Sequence, residues 1–162
     1  MALLVRPAVP ADAPAIWRFV RLLAEYEHLE HRMTATEPDL AQALFGPAPR
    51  LYADIAELDG AAVGFSAWFY NYSTFAGRAG LYVEDLFVLP QARGRGAGKA
   101  LLARLARRCL DEGLGRLDWT VLDWNAPSID FYQRIGAEAD DAWRLRRLRG
   151  EALATLAKAS QA

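Results

Sequence analysis

The stretch "VEDLFVLPQARGRGAGKALL", residues 83–102, decides the fold, because it runs from an apolar strand through a glycine-rich turn into a helix. The turn, residues 93–99, alternates glycine with basic side chains in the order Arg93, Gly94, Arg95, Gly96, Ala97, Gly98 and Lys99. Free N–H groups and the helix dipole favour an anion at such a helix start. Glycine bares these amides and permits positive φ. The glycine turn therefore predicts a phosphate site, with a flexible turn carrying solvated arginines as the alternative.

Two common phosphate-binding motifs do not fit this spacing. A P-loop has glycine five positions before its Gly-Lys pair and Ser or Thr after it, but Arg93 and Ala100 occupy those places. A dinucleotide-binding fingerprint requires glycine where Lys99 stands. Both motifs are therefore poor candidates.

Hydrophobic periodicity and turn residues divide the rest of the chain into strands and helices. The predicted strands are 3–6, 51–58, 61–70, 81–89, 117–122 and 143–148, with a hairpin turn at Asp59 and Gly60. The predicted helices follow Pro10, Thr36, the glycine turn and Asn125, and a last one covers 151–158. This order predicts one α+β domain, residues 1–162, with a mixed, mostly antiparallel sheet flanked by helices.

Composition excludes several classes of protein. A net charge of −1, from 19 basic and 20 acidic residues, produces no global field toward nucleic acid or membranes. No run approaches the roughly 20 apolar residues of a membrane span. The single cysteine, Cys109, forms no intrachain disulfide, and His28 and His31 lack further metal ligands. We therefore expect a cytoplasmic protein without a metal, a membrane or a nucleic-acid partner.

The glycine turn resembles the R/Q-x-x-G-x-G/A signature of the GNAT superfamily of N-acetyltransferases. The resemblance spans nearly the whole chain. In particular, the chain is similar to the spermidine/spermine N1-acetyltransferase branch at six segments: "RPA", "AEYE", "YVEDLFV", "RGRGAG", "VLDWNAPSIDFY" and "GEA". "VLDWN" resembles the thialysine acetyltransferase members of that branch. The resemblance implies the GNAT fold and acetyl-CoA as cosubstrate.

The resemblance also assigns residues to the two halves of acetyl-CoA. Its pyrophosphate is expected on the turn from Arg93 to Lys99. Its pantetheine arm is expected to pair, like an added strand, with the backbone of Leu86, Phe87 and Val88 and with Asn125, Ala126, Pro127 and Ser128. Helix capping is the alternative role for the second segment.

The chemistry requires a neutral amine, yet an alkyl ammonium has a pKa near ~10.4. By resemblance, Glu84 removes the proton, directly or through water, and Tyr132 donates a proton to the departing CoA thiolate. Adjacent strand residues face opposite sides, so we expect Glu84 and Asp85 not to form a carboxylate pair. The alternatives are ion pairs with surface arginines for the two acids and a core position for Tyr132.

The acceptor implied by the resemblance is a small diamine, a polyamine or a lysine-like amine. The expected contacts are Tyr26, Glu27, Trp119 and Asp141, although Trp119 also suits the core. The chain departs from the polyamine enzymes at two positions. Thr74 in place of an acid weakens the case for a long polycation, and Ile135 in place of a base implies a looser contact with the cofactor. A non-catalytic CoA-binding module, and a protein N-terminus or antibiotic amine as acceptor, remain alternatives. The resemblance and the apolar helix "EALATLA" predict a homodimer.

Overall fold

The computed structural model describes residues 2–161, in two units, Met1–Leu122 and Asp123–Ala162. The strands of the first unit are β1 (Leu3–Pro7), β2 (Tyr52–Leu58), β3 (Ala61–Ser73), β4 (Arg78–Val88) and β5 (Leu117–Trp119). Its helices are α1 (Ala13–Tyr26), α2 (Glu37–Phe45) and α3 (Ala97–Asp111). The second unit contains α4 (Ala126–Arg134) and α5 (Gly150–Lys158). Short 3-10 turns occur at Pro10–Asp12, Glu30–Arg32, Pro90–Ala92 and Ala159–Gln161.

The five strands form one sheet in the order β1-β2-β3-β4-β5. The first four are antiparallel neighbours, and β5 joins β4 in parallel. A parallel neighbour needs a crossover, which α3 provides. The expected mixed, mostly antiparallel sheet is therefore confirmed.

Each face of the sheet is covered by helix. On one face, Phe19 of α1 packs against Phe65 and Phe87, with ring centres 5.9 and 6.1 Å apart. On the other face, Ala97 and Leu101 of α3 pack against Ala56 of β2. The two layers bury the apolar side chains that the strand and helix periodicities place inward, and the predicted α+β class is confirmed.

The predicted local signals appear in the structure. Asp59 and Gly60 both have positive φ, 50° and 82°, which is the geometry of a tight hairpin turn. Thr36 caps α2, because its Oγ1 accepts from the N–H of Asp39 at 3.4 Å and the Asp39 carboxylate accepts from the N–H of Thr36. These turns depend only on neighbouring residues, which explains why the sequence predicted them.

The prediction of a last strand over 143–148 is wrong. Residues 135–149, all of which the structure describes, contain neither strand nor helix. Trp143 is 73% exposed and Leu145 is 70% exposed, so the apolar side chains that alternate with arginine in this segment are not buried against a sheet. A strand needs a neighbouring edge for its N–H and C=O groups. Periodicity alone could not supply that edge.

A buried ion pair ties the sheet to α3. Asp54 of β2 is 2% exposed, and its carboxylate accepts from Arg104 Nε at 2.6 Å and from Trp68 Nε1 at 3.0 Å. The guanidinium of Arg108 lies 4.8 Å from the Trp68 ring centre. Trp68 and Asp54 therefore face α3.

Arg104→Ala leaves the buried Asp54 carboxylate without its cation, and we expect a loss of about 3 kcal/mol in the free energy of unfolding. Urea denaturation measures this loss. Arg107→Ala is the matched control on the same helix, because its pair with Asp111 is exposed, and it is expected to cost less than about 0.5 kcal/mol. Equal effects of the two substitutions would contradict the structural role of Asp54.

Candidate functional site

The glycine turn has the backbone that an anion site requires. Gly94 and Gly96 have φ of 75° and 88°, a region that disfavours side chains with a Cβ. Gly96 is the N-cap of α3, and its carbonyl accepts from Ala100 N at 2.9 Å. The N–H groups of the first helical turn have no acceptor within the helix, and they point out from its N-terminal end. Ala97 is buried against the sheet, which fixes where these N–H groups lie.

The strand before the turn has one unpaired edge. β5 pairs only with Leu81–Val83 of β4, whereas β3 stays paired with β4 through Val88. Among residues 2–161, no strand continues beside residues 84–88 on the β5 side, and we call this segment the open edge. It ends a few residues before the glycine turn, so an amide-rich chain added here leads toward that turn.

Backbone alternation decides which groups the open edge presents. The N–H of Leu89 donates to Val63 on the β3 side at 2.8 Å. Successive residues of a strand point their N–H and C=O groups to opposite edges, so Leu86 and Val88 point to the open edge and Phe87 points to β3. The Phe87 side chain is buried in the core. Of the three residues predicted to pair with pantetheine, Leu86 and Val88 thus present their backbone.

A β-bulge interrupts the alternation at Glu84. Val83 is opposite Trp68 and Asp85 is opposite Ala67, so Glu84 is the extra residue on β4. Val83 shares the α3 face with Trp68, whereas Asp85 shares the α1 face with Ala67. The bulge places Asp85 on the α1 face, whereas unbroken alternation from Val83 would place it on the α3 face. The bulge also bends β4 where its pairing with β5 ends.

Three carboxylates meet beside this bulge. Burial first, and then the charges of Glu84 and Glu27, raises the pKa of Asp85 to about 7. Glu27 follows α1 directly as its C-cap, and burial raises its pKa as well. Within residues 2–161, neither Glu84 nor Asp85 forms an ion pair with an arginine. The alternative role in surface ion pairs therefore finds no support, and we call Glu27, Glu84 and Asp85 the acid cluster.

The sequence gives no role to Asp85, although it lies next to Glu84. The bulge and the approach of Glu27 could not be predicted from the sequence, because they depend on how β3 and α1 pack against β4. A carboxyl group that holds its proton near neutral pH can exchange a proton with an amine. The acid cluster can therefore attract a cation and accept its proton.

Tyr26, the last residue of α1, lies against an arginine of the glycine turn. The guanidinium carbon of Arg93 is 4.9 Å from the Tyr26 ring centre and 5.9 Å from that of Phe87. Its Nε donates to the carbonyl of Val88 at 3.0 Å. The structure thus brings Tyr26, Glu27 and the glycine turn to one region of the first unit.

The other predicted acceptor residues occupy separate elements. Trp119 is half-buried at the end of β5, opposite Val83. Thr74 lies in the turn between β3 and β4, where Ser73 Oγ accepts from Ala76 N at 3.1 Å. Asp141, in the second unit, is exposed.

In the second unit, the segment 125–128 starts α4. The side-chain oxygen of Asn125 accepts from the N–H of Ser128 at 3.4 Å, and Pro127 lies in the first turn. The capping role is therefore confirmed. Tyr132 is half-buried on the same helix, with its ring centre 5.4 Å from that of Phe131.

Among residues 2–161, no group of three or more His, Cys, Asp or Glu side chains is placed to hold a metal ion. No helix in this part of the chain has the length and hydrophobicity to cross a membrane.

Comparison with known proteins identifies relatives of the whole chain. Residues 16–137 match the acetyltransferase (GNAT) family. The chain is 34% identical to a thialysine N-epsilon-acetyltransferase of Bos taurus, with 95% of this chain and 96% of that protein covered. It is 30% identical to an L-ornithine N5-acetyltransferase of Arabidopsis thaliana, with 95% and 87% covered. An integron cassette protein from the mobile metagenome of V. cholerae superposes with a TM-score of 0.80 at 27% identity, with 98% and 99% covered.

Asp85→Asn is expected to stabilise the protein increasingly as pH rises. The folded-state pKa of Asp85 lies above its ordinary value of 3.8, so ionisation opposes folding. The loss of unfolding free energy caused by ionised Asp85 is absent below about pH 4 and grows as the pH rises to about 7. It reaches at most about 4 kcal/mol, at about 1.4 kcal/mol per pKa unit. Urea unfolding at pH 5 and pH 8 measures it, with the exposed Asp141→Asn as control. An advantage of Asp85→Asn that is equal at both pH values would contradict the burial of this charge.

Proposed function

The chain belongs to the acetyltransferase (GNAT) family, and we propose that it transfers the acetyl group of acetyl-CoA directly to a primary amine of a lysine-like or small diamine acceptor. Acetyltransferases of this family use acetyl-CoA as cosubstrate. The observation that carries the proposal is the arrangement within the first unit. An anion-binding turn and an unpaired strand edge adjoin a cluster of carboxylates.

The cosubstrate side fits the donor groups of the chain. The pyrophosphate is negatively charged, and the turn offers helix N–H groups with Arg95 and Lys99 exposed around them. The pantetheine arm contains amides, and the N–H and C=O groups of Leu86 lie on the open edge. Asn125 to Ser128 are proposed as further contacts, as the resemblance implies. Thioester chemistry comes from acetyl-CoA itself, and the chain supplies binding and orientation.

The acceptor side fits an ammonium group. The acid cluster attracts it, and Glu84 is proposed to take one proton, leaving a neutral nitrogen. That nitrogen attacks the thioester carbonyl carbon, so a C–N bond forms and the C–S bond breaks. Tyr132 is proposed to donate its phenolic proton to the departing thiolate, as a neutral acid. The second proton, which the nitrogen loses as it becomes the amide nitrogen, then restores the phenol. Asp85, with its raised pKa, is the second group able to carry the amine proton.

Acceptor class follows from size and charge. The relatives named above are called thialysine and L-ornithine acetyltransferases, and both names describe a short chain ending in a primary amine. Thr74 stands where polyamine enzymes have an acid, which removes a contact for a third cationic centre. We therefore favour a lysine-like amino acid or a short diamine over spermine, with Tyr26, Trp119 and Asp141 as further proposed contacts.

An amine panel tests the proposal directly. Thiol release from acetyl-CoA is followed with thialysine, ornithine, lysine, short diamines, spermidine, peptides with a free N-terminus and an aminoglycoside. The fastest release is expected with the lysine-like amines. Binding of CoA without thiol release for any amine would instead support a non-catalytic module, and preference for a peptide or aminoglycoside would replace the acceptor class.

Tyr132→Phe is expected to lower kcat by about 100-fold or more, because general acid catalysis contributes about 10²- to 10⁴-fold. The dissociation constant for CoA, measured by calorimetry, should stay nearly unchanged, since the ring remains. Tyr72→Phe, at an exposed position of β3, is the matched loss of a hydroxyl and should leave kcat as in the wild type. An unchanged rate in Tyr132→Phe would remove this residue from the mechanism.

We also propose that the protein is a homodimer. Seven large apolar side chains of the second unit are exposed: Trp124, Ile135, Trp143, Leu145, Leu148, Leu153 and Leu156. Leu153 and Leu156 lie three residues apart on α5 and so share one face. An exposed apolar set of this size is typical of a surface that another chain covers.

Light scattering is expected to give a mass of twice 17.9 kDa for the wild type. Replacing Leu153 and Leu156 together with Glu should shift the mass to that of a monomer, because two buried apolar contacts become charged. Lys158→Glu, at the end of the same helix, is the control and should remain dimeric. A monomeric wild type at micromolar concentration would defeat the dimer proposal.

A cytoplasmic location is proposed on the cysteine content. The chain has one cysteine, Cys109, which is buried on α3, and burial raises the pKa of its thiol. A thiol held protonated in the core is inert and requires no oxidising compartment. A reducing compartment therefore suits the chain.

A further inference from the structure

Arg93 connects three parts of the first unit through its backbone and its side chain. Its backbone enters the glycine turn, its Nε donates to Val88 at the open edge at 3.0 Å, and its guanidinium lies 4.9 Å from the ring centre of Tyr26. The carbonyl that it caps is one of the groups presented at the open edge. Arg93 therefore connects the proposed cosubstrate side of the site with the last residue of α1.

The shape of guanidinium explains why arginine stands here. A planar, delocalised cation can stack on an aromatic ring while its Nε donates sideways to a carbonyl. An ammonium group keeps the charge but has neither the plane nor the Nε donor. Retaining the charge as lysine should therefore not restore both contacts.

The stack also restricts what Tyr26 can do. Arg93 covers one face of the ring with a cation, and a second cation at that face is repelled. A cation–π contact between Tyr26 and the acceptor amine is thus disfavoured on this face. The ammonium is left to the neighbouring carboxylate of Glu27 and the rest of the acid cluster.

We propose that Arg93 is a positioning residue that fixes Tyr26 against the glycine turn and thereby couples acceptor binding to acetyl-CoA binding. The proposal rests on the proposed function. Binding of acetyl-CoA at the turn restrains residues 93–99 and holds the guanidinium on the Tyr26 ring. The end of α1 is therefore already ordered when the acceptor binds. Because such coupling is reciprocal, bound acceptor also tightens acetyl-CoA.

The test compares Arg93→Lys, Tyr26→Leu and their double variant by steady-state kinetics and calorimetry. Each single variant is expected to raise the acceptor KM by about 5- to 30-fold, the range of a partly desolvated cation–π contact. The acceptor KM of the double variant should exceed that of either single variant by no more than about twofold, because both substitutions remove the same contact. The acetyl-CoA dissociation constant without acceptor should change by less than about threefold.

Arg107→Lys is the matched control, since it removes an exposed guanidinium from α3, outside the glycine turn, while keeping its charge. Its acceptor KM should stay within about twofold of the wild type. Thermal melts establish that every variant is folded.

Several results would overturn the inference while leaving the proposed function intact. An Arg93→Lys variant with wild-type acceptor KM would do so, as would additive effects in the double variant. Weaker acetyl-CoA binding in Arg93→Lys with unchanged acceptor KM would make Arg93 a plain phosphate ligand. A wild-type protein that releases no thiol with any amine would refute the proposed function, and the coupling would fall with it.

Discussion

The separation of β5 from β4 after Val83 is the constraint on which the site depends. β4 keeps its pairing with β3 through Val88, so its backbone stays rigid while its other edge is left without a strand. An extended backbone with one free edge accepts an amide-rich ligand without rearranging. The bulge at Glu84 ends the pairing, because the extra residue bends β4 at that point.

The same bulge determines the electrostatics of the acid cluster. It moves Asp85 to the α1 face, where Glu27 already lies and where burial disfavours charge. Carboxylates that repel one another in a poorly solvated place hold protons more tightly and attract cations more strongly. This arrangement lowers the stability of the fold, as is common at functional sites. It suits an enzyme that must bind an ammonium group and remove a proton from it.

Stability is supplied elsewhere in the first unit. The pair between Asp54 and Arg104 lies on the α3 face, away from the acid cluster on the α1 face, and the aromatic core around Phe19 supports the sheet. The glycine turn is fixed between these parts by the burial of Ala97 and by the contacts of Arg93. Rigid packing on both faces is what allows a turn rich in glycine to hold one conformation.

Local signals in the sequence were enough for most of the elements. Caps, hairpin residues and the glycine turn depend on neighbours a few positions apart, so Thr36, Asn125, Asp59 and Gly96 predicted their own geometry. The strand expected at 143–148 failed because pairing needs an edge that no local pattern supplies. The sequence by itself determined the glycine turn, the order of the elements as far as α4 and the acids available. Only the tertiary structure decided that Asp85 shares a face with Glu27 and that Arg93 reaches Tyr26, because a register shift and a helix docking bring together residues that are remote along the chain.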